Sequence, residues 1–212
     1  MINILNTRSV SFKKDLNKFL NLRKSDSNSK IGIVNKIIKD VKTKGDTSVI
    51  IYEKKINRLK KLNKKNLTFS KNEIKRSIKS LDKKVKKSID LAFNRILTFH
   101  KNQKFKAFKI TDKHKNILSY RYSSIQKVGV YVPGGNASFP STVLMNAIPA
   151  KIAGVRRIVM VNPCKNGKQS PGVLYAAKKC GIKEIYSIGG AQSIAALAFG
   201  TKSIKKVDKI VG

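Results

Sequence analysis

From Val128 onward the chain repeats one pattern: a short β-branched run, a turn marked by glycine or proline, then a helical pattern. The runs are VGVYV at 128–132, RIVMVN at 157–162, EIYSI at 184–188 and VDKIV at 207–211. Helical patterns at 141–153, 172–179 and 191–199 separate them, and Gly154, Gly181 and Gly200 stand where C-terminal caps belong. Strands alternating with crossover helices form right-handed βαβ units, so the pattern predicts a parallel α/β sheet. Pro149 lies inside the first of these helices and predicts a kink or an early break. The fourth run has no helix after it, and a sheet of this kind is expected to lack its second half.

The region 1–127 reads differently. Residues 30–44 carry Ile31, Val34, Ile37, Ile38 and Val41 at helical spacing, with Gly45 as the stop. A second helix is predicted from Asp46 through Val49, Ile50, Ile51 and Tyr52. Ser70 and Glu73 have the spacing of a capping box, followed on one face by Ile74, Ile78 and Leu81. Asp82 then caps a longer helix whose Val85, Ile89, Ala92, Phe93, Ile96 and Phe99 form a core-facing stripe. Alternation over 117–122 predicts a strand near the join. The organisation expected is a mainly helical region, 1–127, followed by an incomplete sheet domain, 128–212.

Composition narrows the class. With 41% hydrophobic residues the chain is globular rather than disordered. No apolar run reaches the length of a membrane span, and the N-terminus lacks the pattern of a secretory signal. Cys164 and Cys180 are too few and too far apart for a disulfide framework or a zinc knuckle, and read as cytoplasmic thiols. Lys plus Arg number 47 against 11 Asp plus Glu, a formal charge of +36. Such a charge suggests a nucleic-acid or membrane-surface binder. The lysines, however, are spread along the whole chain, and no aromatic residues interleave with basic runs as stacking platforms. A solvated, compositionally biased surface is the favoured reading, and a nucleic-acid-binding protein on a retired enzyme fold is the alternative.

Ligands of open parallel sheets bind beyond the carboxyl ends of the strands. Two glycine-rich loops lie there. Tyr131-Val-Pro-Gly134-Gly135 offers close backbone approach, with Tyr131 either facing a nucleotide or packed in the core. Gly189-Gly190-Ala191-Gln192 opens a helix of small residues, where Gln192 either presents its amide to a ribose or base edge or caps its own helix. The G-x-G-x-x-G fingerprint with an acidic partner is absent. His100 and His114 have no cysteine or carboxylate cluster at metal spacing, and His100 reads as a packing or interface residue. Ser141 and Thr142 read as helix caps rather than nucleophiles. On residue chemistry alone the site is a nucleotide-like pocket without visible catalytic apparatus.

The strings VGVYVPGG, STVLMNAIPAKIAGV, EIYSIGGAQSIAALAFGT and KVDKIVG closely resemble the central segment of histidinol dehydrogenases. GDTSVIIYEKKIN and RILTFHKNQ extend the resemblance upstream in weaker form. The resemblance implies a cytoplasmic, homodimeric, zinc-dependent enzyme. It would oxidise L-histidinol to L-histidine through histidinal, passing two hydrides to NAD on a Rossmann-like domain that lacks the usual fingerprint. It further implies that Tyr131 and Gln192 contact NAD, with Gly134 and Gly135 lining the same loop. The family's P-G-N and G-P-S-E strings, zinc ligands and glutamate–histidine acid–base pair are expected beyond Gly212. A chain without them is expected to be inactive alone.

Overall fold

The computed structural model describes residues 5–56, 62–134, 137–164 and 169–212, with the side chains of 22–30 and 65 outside that description. Four helices open the chain: α1 (Phe12–Lys44), α2 (Asp46–Ile56), α3 (Lys71–Lys79) and α4 (Lys83–Lys101). α1 starts eighteen residues before residue 30, where the sequence pattern places its beginning. Phe12, Leu16, Phe19 and Leu20 stand at helical spacing there, and once residues 37–44 are docked each further residue adds a backbone bond without a new nucleation cost. Ile37 and Val41 are buried, whereas Ile31 and Val34 at the front of the stripe are exposed. The capping box at Ser70 and Glu73 forms in both directions. Asp82 caps α4 by accepting from the amides of Lys84 at 2.7 Å and Val85 at 3.2 Å. On α4, Ile89 is buried and its neighbours partly so, while Val85 and Phe99 at the ends of the stripe are exposed.

A hairpin follows, β1 (Phe108–Thr111) paired antiparallel with β2 (Ile117–Tyr120), exposed along its whole length. The sequence pattern predicts only its second strand. The rest of the chain is β3 (Lys127–Tyr131), α5 (Pro140–Ile152), β4 (Arg157–Val161), α6 (Pro171–Cys180), β5 (Glu184–Tyr186), α7 (Gly190–Phe199) and β6 (Lys209–Val211). α5 runs past Pro149 to Ile152 without breaking. The bond lost is the one that a residue at 149 would give to the Met145 carbonyl one turn back, and the helix continues for three residues beyond the proline. Ser141 and Thr142 are not caps: Phe139 is the N-cap residue, and Pro140 takes the first turn, where a missing N–H costs nothing.

β3 to β6 form one parallel sheet in the order β5-β4-β3-β6. Successive crossovers first step outward from β3, then the chain returns past it to β6. With every crossover right-handed, that reversal moves the connecting helix to the opposite face. The burial follows this rule. Val128, Val130, Val132 and Met160 pack with α5 and α6, joined by α3 and α4. Val159, Val161 and Tyr186 face the other way, into α7, α1 and α2. Gly129, mid-strand in β3, lets α7 approach closely: a Cβ there would lie 2.9 Å from Leu197 Cδ1 and 3.2 Å from Val207 Cγ2. At the amino ends of the strands, Arg157 forms a two-pronged pair with Glu184, both bonds 2.7 Å. Lys127 and Asp208 exchange bonds of 3.0 and 2.9 Å that fix β6 against β3.

Carboxylates elsewhere have similar duties. Asp40 accepts from the Tyr52 hydroxyl at 2.6 Å, Asp90 from the Tyr175 hydroxyl at 2.7 Å, and Asp46 from the Ser203 hydroxyl at 2.8 Å. Asp112 accepts the amides of His114 and Asn116, both at 2.8 Å. Hydrogen bonds from Tyr52, Ser70, Tyr175, Asn116 and Arg157 hold Asp40, Glu73, Asp90, Asp112 and Glu184 below the ordinary carboxylate range.

Two outcomes are expected. Gly129→Ala forces Leu197 and Val207 aside and lowers stability by about 1–3 kcal/mol in urea unfolding; an unchanged midpoint would contradict the close approach of α7. The depressed carboxyl groups stabilise the fold fully above their unfolded values, near pH 4, and lose that contribution as pH falls through the lower folded values. The urea midpoint therefore drops on acidification below pH 4. At neutral pH added salt raises it by screening the +36 charge.

Candidate functional site

The direction of strand order reverses between β3 and β6, and in open α/β sheets the crevice at such a reversal takes ligands. Three strand ends meet beside it. β3 delivers Tyr131 and Gly134, β4 delivers Asn162 and Pro163, and β5 leads through Ser187 to Gly189 and Gly190 at the start of α7. They are fastened by side-chain bonds to the backbone. The buried Asn162 donates from Nδ2 to the carbonyls of Val132 at 2.8 Å and Pro133 at 3.0 Å, and its own carbonyl accepts from Gln169 Nε2 at 2.8 Å. The Gly190 amide donates to the Tyr131 hydroxyl at 3.3 Å.

Pro163 is wedged between two glycines. A Cβ on Gly134 would collide with the Pro163 carbonyl oxygen, and one on Gly189 would lie 2.6 Å from Pro163 Cβ. The requirement for glycine at 134 is thus loop-to-loop packing, and its φ is not positive. Gly135 lies outside the described residues.

Tyr131 is half-buried and packs against the α1–α2–α7 side of the core. Gln192 is fully buried in the first turn of α7 and does not cap that helix, whose N-cap Gly189 has no side-chain bond. Its Nε2 donates instead to Glu53 Oε1 of α2 at 2.8 Å, and the same oxygen accepts the Gly189 amide at 2.7 Å. Gln192 Oε1 is buried with no hydrogen-bond partner.

Neither Glu53 nor Asn162 stands out in the sequence as a site residue. The Asn-Pro turn after a strand is a usable signal for Asn162. Glu53, followed by two lysines on a short helix, looks like a surface residue, and only the fold shows it enclosed.

The two histidines lie on other elements, half-buried on α4 and exposed in the β1–β2 turn. His100 Nδ1 meets Gln103 Oε1 at 2.6 Å. Among the described residues no three His, Cys, Asp or Glu side chains gather as a metal site, so zinc does not fit the groups present here. Among them too, no helix is long and apolar enough to cross a membrane.

Burial, followed by the nearby Glu53 charge, pushes the Cys164 thiol up to about 12; burial pushes Cys180 up to about 11. Both thiols should resist a disulfide-exchange reagent at pH 8 and react at once in denaturant, and rapid labelling of the native protein would contradict their enclosure. A raised folded value means that the unfolded state loses its thiol proton first. This contribution to stability is therefore intact below about pH 9 and is lost as pH rises toward 11–12.

A four-stranded parallel sheet with this strand order, helices on both faces and a glycine-lined reversal crevice defines a doubly wound, Rossmann-like α/β protein. The chain belongs to the histidinol dehydrogenase family, whose model matches residues 20–212. It is 55% identical over 212 residues to the histidinol dehydrogenase of Pelagibacter ubique, covering 100% of this chain and 48% of the relative. To that of Cereibacter sphaeroides it is 41% identical, covering 100% of this chain and 49% of the relative. The crystal structure of histidinol dehydrogenase from Elizabethkingia anophelis superposes with a TM-score of 0.80 at 35% identity, over 85% of this chain and 41% of that one. The chain thus spans about half the length of the relatives it matches.

Proposed function

We propose that this chain provides the NAD-binding half of a histidinol dehydrogenase, a cytoplasmic homodimer that oxidises L-histidinol to L-histidine through histidinal. The observation that carries the reading is the reversal crevice: Tyr131 and the Gly189–Gly190 turn close on each other there, in a chain of this family. NAD bound at the crevice supplies the hydride acceptor. Tyr131 gives the crevice an aromatic wall from the end of β3, and its hydroxyl holds the turn that leads into α7. Gln192 contributes an amide beneath that turn, while Gly134 keeps the neighbouring loops tight against Pro163; Gly135, outside the described residues, is assigned to NAD by the family resemblance alone. In this reading zinc and the acid–base groups come from outside the described residues, which gather no ligand set for a metal.

Calorimetric titration of the purified protein with NAD tests the proposal. Tyr131→Ala and Gln192→Ala are each expected to weaken binding about tenfold, the cost of losing one well-placed polar or stacking contact. Binding that is unchanged in both variants, or absent in the unmutated protein, would sink it. The 212-residue chain supplied with L-histidinol and NAD is expected to form no NADH, and measurable NADH would show that its own residues suffice for turnover.

A further inference from the structure

Glu53 is fully buried 136 residues before the turn it touches, and one of its oxygens accepts two N–H bonds there, from Gly189 and from Gln192 Nε2. A carboxylate oxygen can only accept, so the amide of Gln192 must turn its NH2 toward Glu53 and its carbonyl oxygen away. That oxygen is buried and has no donor. Over the amide lies Gly190, exposed, at φ 61°, and bare of side chain: a Cβ there would sit 2.9 Å from Gln192 Oε1. An unpaired buried acceptor of this kind carries a desolvation cost that a ligand donor can relieve.

We infer that Glu53 is a positioning residue of the nucleotide site, fixing Gln192 so that its amide receives a hydrogen bond from the bound nucleotide. The inference rests on the NAD-site reading above and adds a specificity to it. The group recognised is an N–H or O–H donor, supplied by the nicotinamide carboxamide or by a ribose hydroxyl. Glu53 also takes the amide of Gly189, the residue before the first turn of α7. That N–H is therefore not available to a phosphate oxygen of the nucleotide.

A double-mutant cycle on NAD affinity separates positioning from plain structural support. Glu53→Ala is expected to weaken NAD about tenfold, and to weaken it no further when Gln192 is already alanine. Glu53→Gln, which keeps an acceptor oxygen in place, should restore affinity to within about threefold. Losses that add across the cycle would overturn the inference while leaving the NAD site standing. If Glu53→Ala is too unstable to isolate, Glu53→Asp, shorter by one methylene, takes its place in the cycle. Nicotinic acid adenine dinucleotide, whose carboxylate replaces the carboxamide, should bind at least tenfold more weakly if the carboxamide is the donor. Equal binding would assign the donor to a ribose hydroxyl. If the unmutated protein binds no NAD, the functional reading falls, and hydrogen exchange of the Gln192 side-chain amide decides the rest. Slow exchange in the unmutated protein and in Glu53→Gln, with fast exchange in Glu53→Ala, retains Glu53 as the positioning residue. Fast exchange in all three overturns it.

Discussion

A parallel sheet has no face it can leave to water, and that constraint organises the whole chain. Three crossover helices cannot cover both sides of four strands evenly. α5 and α6 lie on one face, and the return to β6 leaves α7 alone on the other. The N-terminal helices supply what is missing: α1 and α2 pack beside α7, and α3 and α4 back α5 and α6. Both halves of the core therefore draw on residues far apart in sequence. The helices before Lys127 are structural partners of the sheet, as the pairing of Ile37, Val41 and Val49 with Val159 and Val161 makes plain.

The same packing gives the crevice its chemistry. Because α2 must lie against α7, it can project one side chain under the loop where α7 begins, and that side chain is Glu53. The turn at Gly189–Gly190 is then gripped from two sides, by a carboxylate from below and by the Tyr131 hydroxyl from the neighbouring strand. Asn162 fastens the β3 loop in a comparable way. Loops held by buried side-chain bonds lose their freedom during folding rather than during binding, which is the condition for a site that does not spend affinity on ordering itself.

Most of the sheet was legible because its signals are local. β-branched runs, the Ser70–Glu73 box, Asp82 and the terminal glycines of α6 and α7 act over a few residues and sit where the sequence pattern predicts them. Most of what escaped depends on contacts that a local pattern does not encode. The front of α1 does carry a local signal, Phe12, Leu16, Phe19 and Leu20 at helical spacing, which a helix started at residue 30 passes over. The hairpin strand β1 is exposed on both sides, so alternation is weakly selected there. Glu53 was invisible for the strongest reason: its partners are Gly189 and Gln192, and its helix neighbours Lys54 and Lys55 make it look solvated. Gln192 stood out by position, but its bond to another helix rather than to its own backbone could only come from the fold.

The 11 acidic residues also acquire a physical account once they are located. Asp26 aside, whose side chain is not described, every acidic residue accepts a structural hydrogen bond. Asp15 holds the Ser11 hydroxyl, and Glu73 and Asp82 bind helix N-termini. Asp40, Asp46, Glu53 and Asp90 join helices to one another or to loops. Asp112 shapes the hairpin turn, and Glu184 and Asp208 bind the amino ends of the strands. Removing an acid that is enclosed, as Glu53 and Asp46 are, would orphan its donors at a cost of about 1–3 kcal/mol, whereas the exposed bonds of Asp15 and Asp112 are worth less. The excess of +36 has two parts, 11 acidic residues that are nearly all engaged in bonds and 47 basic residues that are spread along the chain.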